Sequence, residues 1–406
     1  MSRRVVVTGI GLVTALGSSR EETWRRMIAG ECGIRPVTVF DTTGYRSRVA
    51  AEVDIHTLDS QLGSLRLRRH SRSDRIGLAA AVEAISDSGV MDGAIDLRRV
   101  GIFFGAGTAD LLRNEDFYRT WLASGIHRSR PSDVWNHFLS TPVDVVATRF
   151  GFEGPRGCIV AACSSSTIAI GRGEQAIRSG RADVVLAGGT DALARLTFTG
   201  FNLLRLMDPE PCRPFDHARA GMNIGEGAGV LVLEALDHAR RRGARVHAEL
   251  AGHAAACEAY HPTAPDPEGQ TIARVISAAL EAAGINAAEV DHVNAHGTGT
   301  QQNDTAEARG LKRAFGDRLT RLPVTSVKSM VGHCLGASGA VEAAVLALTV
   351  ARGVIPPTIH HDRTDAECPI NIVSKEARET RVRCGVSISL GFGGNDSAIV
   401  VRSFDG

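Results

Sequence analysis

Short, nearly unbroken apolar runs alternate along this chain with longer stretches in which apolar residues recur every three or four positions. The run Arg4 to Val7 reads as a buried strand, with Thr8-Gly9 taking it into a turn. Asp74 to Ser88 places Ile76, Ala79, Ala80, Val82, Ala84 and Ile85 at helical spacing and ends at Gly89. Val100 to Thr108 reads as a strand entering a glycine-rich turn. Gly157 to Ala162 is a strand, followed by a helix to about Ser179 that Gly180 stops. Ala182 to Gly189 is a further buried strand. Apolar strands alternating with helices predict an α/β protein, with a parallel sheet covered on both faces.

The order then recurs. The alanine-rich helix Gly77 to Val90 leads to a strand ending in Gly107-Thr108. The similar helix Ile272 to Ile285 leads to the strand segment Glu289 to Thr300, with its own Gly-Thr. Strand Pro323 to Val327, a glycine-rich loop and helix Ser338 to Arg352 echo the strand, Cys163 and helix unit. Two related halves are therefore expected, 1–245 and 246–406. Met207 to Pro214 and His261 to Gly269 read as loops.

Composition narrows the function. The 406 residues carry 46 basic and 45 acidic side chains, a formal charge of +1. That balance argues against nucleic acid as a partner, since phosphate binding wants a basic excess. The eight cysteines are scattered and form no CxxC pair, which speaks against zinc ribbons and thioredoxin-like sites and for reduced thiols in a cytoplasmic protein. No run of 18 apolar residues occurs, so no membrane span is expected. The start MSRRVVVTGIGLVTALGSS is basic then apolar like a signal peptide, but Thr8, Gly9, Gly11 and Thr14 interrupt it, and a strand is the better reading. Lysine occurs only at 312, 328 and 375.

Four segments carry candidate chemistry. Cys163 ends an apolar strand and opens a helix, where the dipole and free N–H groups favour a thiolate and can hold an oxyanion. By itself it reads equally as a buried inert thiol. His296 follows a strand in NAHGTGT, and strand ends are where sites form in such sheets. Lys328 and His333 lie in SVKSMVGHCLGASGA, after another strand; a solvated lysine and a helix-capping histidine are the plain alternative. Asp304, Glu307 and Glu342 lie nearby in sequence and could pair with Lys328 or face solvent. Phe392 sits between glycines in SLGFGGNDSAIVV, a loop that brings backbone N–H groups close to a substrate.

Together these segments resemble the β-ketoacyl-acyl carrier protein synthases of the thiolase superfamily. VVVTGIGLVTALG, AACSSS, GGTDAL, RPFDHARAGMNIGEGAGVLVLE, VNAHGTGTQQND, SVKSMVGHCLGASGAVEA and GFGG follow that family's order over essentially the whole chain. The resemblance implies a thiolase-like duplicated fold of two βαβαβ halves in five αβαβα layers. It implies Cys163 as nucleophile, His296 and His333 as catalytic histidines and Lys328 as their support. Phe392 would be the gating residue, sharing an oxyanion hole with Cys163, and Thr298 and Thr300 would touch pantetheine. It further implies an acyl carrier protein as partner and a homodimer or a heterodimer with a related subunit, joined along Ala182 to Gly189 and its flanks. No metal or cofactor is expected beyond the carrier's phosphopantetheine.

Departures from the family pattern leave the acyl substrate open. Asn395-Asp396 stands where Thr-Asn is common, Ser389-Leu390 precedes the loop, and Ser165-Ser166 replaces the usual glycine. GFGG running into SAIVV resembles type II polyketide ketosynthases, and AYHPTAPDPEG the fatty-acid elongating enzymes. Two alternatives remain at this level. A non-catalytic chain-length subunit would lack the nucleophile. A non-decarboxylating thiolase would need a second cysteine in the glycine loop, whereas Cys384 lies on the strand before it.

Overall fold

The computed structural model describes residues 3–63, 70–109, 111–128, 135 and 137–404. In chain order the strands are β1 (Val5–Thr14), β2 (Ile34–Pro36), β3 (Val49–Ala51), β4 (Val100–Gly105), β5 (Arg156–Ile159), β6 (Val184–Asp191), β7 (Gly227–Ala235) and β8 (Ala248–Cys257). They continue with β9 (His292–Asn294), β10 (Pro323–Thr325), β11 (Val354–Ile355), β12 (Asn371–Ile372), β13 (Arg378–Glu379), β14 (Cys384–Gly391) and β15 (Asn395–Arg402).

Eleven of them form one sheet in the order β12-β10-β9-β14-β15-β8-β1-β7-β6-β4-β5. The order exposes the duplication. The run β5-β4-β6-β7-β1 from one half is answered by β10-β9-β14-β15-β8 from the other, and the halves join where β1 pairs with β8. Helices Ser165–Arg178 and Ser338–Arg352 lie between the halves and touch strands of both. Helix Arg72–Ser88 covers the outer face of one half, and helices Gln270–Ala283 and Gln301–Phe315 that of the other. This gives the five αβαβα layers of a thiolase-like fold.

Three expectations change. The sheet is mixed: β4 runs parallel to β5 and β6, and β9 to β10 and β14, but β1, β7, β8 and β15 pair antiparallel. An unbroken apolar run reports burial on both faces, which helices supply here whatever the strand direction. Thr8-Gly9 does not end the first strand; β1 runs on to Thr14 through a bulge between Val7 and Gly9. The glycines there admit a neighbour instead of a turn, since a Cβ on Gly11 would stand 1.8 Å from the Ala80 carbonyl oxygen of the covering helix. Finally, β6 (Ala182 to Gly189 in the sequence reading) lies inside the sheet between β4 and β7 and is buried throughout. It has no free edge to offer a second chain; β5 is the strand at that edge of the sheet.

Helix Ser338–Arg352 is buried from Ser338 to Val350. With the turn before it, Leu335–Arg352 is apolar and long enough to cross a membrane, yet it lies 89% inside the fold as the central helix of the core. All eight cysteines are free.

Candidate active site

The C-terminal ends of β5, β9, β10 and β14 converge on one cavity of about 380 Å³. Each is followed within a few residues by one of the candidate side chains. Cys163 follows β5, with Ala162 in the left-handed region at φ 49° and the helix starting at Ser165. His296 follows β9, Lys328 opens a short helix after β10, and Phe392 begins the three-residue turn joining β14 to β15. Cys163, His296, His333, Thr298, Thr300 and Phe392 all line the cavity.

His333 Nε2 lies 3.0 Å from Cys163 Sγ. On its other edge, Nδ1 accepts the Leu335 N–H at 3.2 Å and meets Ser338 Oγ at 2.7 Å. A ring nitrogen that accepts a backbone N–H carries no proton, so the neutral ring holds its proton on Nε2. His296 is wired alike. Lys328 Nζ donates to its Nδ1 at 3.3 Å, leaving Nε2–H facing the cavity. The two rings meet edge to face, 5.2 Å between centroids. Lys328 also donates to the His296 carbonyl at 2.6 Å and is ion-paired with Glu342.

Burial, followed by the Lys328 charge, holds both imidazoles well below the usual histidine range. They are neutral donors at physiological pH. The ligating atoms of Cys163, His296 and His333 lie within 4.8 Å of one another, a donor set zinc favours. An ion there would need both Nε2 lone pairs, and the donors already on both Nδ1 atoms put protons in their place.

At Cys163 burial opposes the thiolate that the helix terminus favours. Desolvation pushes the thiol up to about 11, although the Lys328 charge and the Phe392 N–H pull it down. The helix terminus alone does not produce a thiolate in a site this dry.

The three acids divide. Glu342 pairs with Lys328, and burial pushes it up to about 7. Glu307 and Asp304 neither pair with Lys328 nor face solvent. Glu307 accepts the N–H groups of His296 and Gly297 at 2.6 and 2.7 Å. Asp304 accepts those of Phe215 and Gly299 at 2.7 and 3.1 Å. Both brace the loop that presents His296, and its Thr298 and Thr300 hydroxyls lie 2.9 Å apart.

Two groups escaped the sequence reading. Asp191, in the GGTDAL motif, accepts the N–H groups of Gly107, Thr108, Ala109 and Gly336, and ties the loop after β4 to the turn before helix Ser338–Arg352. An aspartate at the end of an apolar strand, two residues after its Gly-Gly pair, is its signal. Asn223, in RAGMNIGEG, accepts the His333 N–H with its carbonyl at 2.7 Å, fixing the height of that ring. Cys384, weighed as a thiolase-type acid, starts β14 at the end away from the Phe392 turn. Among the described residues Cys163 is the one cysteine lining the cavity.

A helix-terminal cysteine facing two neutral Nε2–H donors, in a duplicated thiolase-like fold, defines an acyl-transferring enzyme with a covalent intermediate. The family descriptions "Beta-ketoacyl synthase, N-terminal domain" and "Beta-ketoacyl synthase, C-terminal domain" match residues 2–239 and 247–362. The chain is 37% identical to the tetracenomycin polyketide synthase ketoacyl synthase alpha subunit of Streptomyces glaucescens, over 98% of this chain and 97% of that one. It is 34% identical to 3-oxoacyl-[acyl-carrier-protein] synthase 2 of Staphylococcus aureus, over 100% and 99%. The solved ishigamide ketosynthase/chain length factor superposes over the full length of both chains with a TM-score of 0.95 at 35% identity. This chain belongs to the β-ketoacyl synthase family. It is an acyltransferase that forms β-ketoacyl thioesters by decarboxylative condensation.

Proposed function

We propose that Cys163 takes an acyl group from an acyl carrier protein and passes it to the carbanion formed from malonyl-carrier protein. The observation that carries this assignment of roles is the pair of Nε2–H donors around the Cys163 thiol. Cys163 gives up its proton and attacks the thioester carbonyl, and the oxyanion is met by the Cys163 and Phe392 N–H groups; collapse of this adduct breaks the C–S bond to the carrier, whose pantetheine sulfur leaves and takes up a proton, so that it departs as a thiol. In the second half-reaction the malonyl carboxylate leaves as carbon dioxide, and the enolate oxygen is held by the Nε2–H groups of His296 and His333. The carbanion then attacks the acyl group on Cys163, and the thiolate departs. Thr298 and Thr300 bind the pantetheine arm where they line the cavity.

The names of the relatives support a carrier protein as partner, and the ketosynthase/chain length factor structure supports pairing with a second ketosynthase-like chain, either a copy or a related subunit. Edge strand β5 is the proposed seam. We place the boundary between halves at 245/246, just before β8, and the enzyme in the cytoplasm, as its free and mostly buried thiols suit. The retained cysteine and histidines weigh against a non-catalytic chain-length subunit.

The test is intact-mass measurement after exposure to a panel of acyl-carrier proteins. A mass gain of one acyl group, lost in Cys163→Ala, is expected and names the preferred chain. No gain with any donor would sink the assignment.

A further inference from the structure

Glu258 and Asp396 are two acids on the cavity wall that the reaction above does not use. Asp396 lies on β15, cross-strand from Leu390, and is 1% exposed. Glu258 follows β8 and leads into the 258–266 loop, which contributes His261 and Pro265 to the same cavity. Asp396 stands opposite Ala256 of β8, two residues before Glu258, so the two acids are diagonal neighbours across the strand pair and their charges act on each other. Asp396 Oδ2 meets no N–H or O–H donor among the described residues. Two carboxylates in contact in a buried site repel, and one proton between them turns repulsion into a hydrogen bond.

We propose that Glu258 and Asp396 share one proton, and that this shared proton latches the Phe392 turn against the 258–266 loop. The pair thereby acts as a positioning element for the Phe392 N–H. The proposal rests on the role given to Phe392 above.

The connections run through both loops. The Glu258 N–H donates to the Gly394 carbonyl at 2.8 Å, and the Gly393 N–H to that of Pro262 at 2.8 Å. Glu258 also accepts the Asp266 N–H at 3.0 Å. Gly394, at φ 71°, packs so closely that a Cβ there would stand 2.8 Å from Glu258 Cβ. A displacement of the Glu258 side chain is therefore transmitted to the turn that carries Phe392. The charged groups facing the pair are Asp266 and Glu307, which disfavour a second negative charge, and Arg274, which favours it. Burial and the neighbouring acids raise Asp396 to about 9. The latch is then closed at neutral pH and opens as pH rises through that value.

The experiment measures Cys163 acylation by an N-acetylcysteamine acyl thioester between pH 7 and 10, in the full-length protein and in Asp396→Asn and Glu258→Gln. An amide keeps the hydrogen bond and removes the titration. At one pH unit above 9 about a tenth of the pairs retain the proton, so the ratio of wild-type to variant rate falls about tenfold by pH 10. A ratio that stays level overturns the latch. In parallel, the infrared band of a protonated carboxyl is expected to titrate away near pH 9 in the wild type and to be missing from Asp396→Asn. An identical band in the two proteins overturns the shared proton. Failure of every form to acylate at any pH would instead strike the Cys163 assignment, and the infrared titration would still decide the pair.

Discussion

Lys328 holds His296 by two atoms at once: its Nζ donates to the ring Nδ1 at 3.3 Å and to the backbone carbonyl at 2.6 Å. The same ammonium is the ion-pair partner of Glu342, and all three residues are buried. Lysine here sets a tautomer, orients a ring and neutralises a carboxylate.

Lys328→Met should remove all three effects. It leaves Glu342 without its cation, and removing one member of a buried pair costs about 3–5 kcal/mol. Glu342, already raised to about 7, relieves part of that by taking a proton. The sign follows: the stability gap to wild type widens as pH rises above 7 and the carboxyl must ionise. Adding Glu342→Gln should restore stability but not condensation. Chemical denaturation at pH 6 and 9, with turnover measured beside it, separates the two roles.

The two histidines should not be equivalent. His333 touches the thiol at 3.0 Å, whereas His296 reaches it through no hydrogen bond and faces the same cavity. His296→Ala is expected to lower malonyl decarboxylation by about 10²–10³, the usual cost of one oxyanion donor, and to leave acyl-Cys163 formation far less affected. His333→Ala should slow both half-reactions. Single-turnover assays with acyl-carrier protein alone, then with malonyl-carrier protein, resolve them. Equal losses at His296 would point to a cysteine–histidine set working as one unit.

Much of this site was legible in the chain because catalysis concentrates rare residues in order. Cys163, His296, Lys328 and Phe392 each come shortly after a strand end, and His333 follows one short helix later. The halves were legible for a similar reason, since helix and strand periods repeat. What sequence could not show is which group meets which across the fold. Glu342, Glu307 and Asp304 look alike as acids on helices, yet one neutralises Lys328 while two hold backbone N–H groups of the His296 loop. Strand direction was hidden because burial, and not direction, writes the apolar pattern. Desolvation opposes the thiolate that the helix terminus favours, and it depends on all the neighbours of Cys163 and not on its helix alone.

Buried neutral histidines make the fold sensitive to acid. His292 is fully enclosed, with Nδ1 3.2 Å from the Pro323 carbonyl oxygen, and burial lowers it to about 4. In the unfolded chain it takes a proton near 6.5. Its contribution is therefore complete above about 6.5 and is lost as pH falls toward 4. His292→Asn should be less stable than wild type at pH 8, and the gap should shrink by about 3 kcal/mol by pH 4, since each pH unit between the two values is worth roughly 1.4 kcal/mol. Denaturant midpoints across that range provide the check; a constant gap would contradict it.

The proposed seam along β5 can be tested by a single exposed side chain. Substitutions on β6 cannot probe association, because that strand is buried between β4 and β7 and would simply damage the core. Among the described residues β5 has a strand partner on one side only, and Val160, directly after it, is 57% exposed. Phe138 at 57%, Trp121 at 41% and Leu122 at 84% add further large exposed apolar side chains in the same half. Exposed apolar side chains and an open strand edge are what a second chain would cover at the proposed seam. Val160→Asp puts a charge at the end of that edge. It has no buried partner to lose within its own chain, so the monomer fold should survive, as circular dichroism and melting would show. Association should not survive, because the carboxylate would have to be desolvated against a second chain. Sedimentation equilibrium is expected to find the wild type paired, with itself or with a co-expressed related subunit, and the variant monomeric. Val160 lies three residues before Cys163, so monomers should also acylate more slowly if the second chain helps to wall the cavity. A variant that still pairs as tightly as wild type would move the seam away from β5.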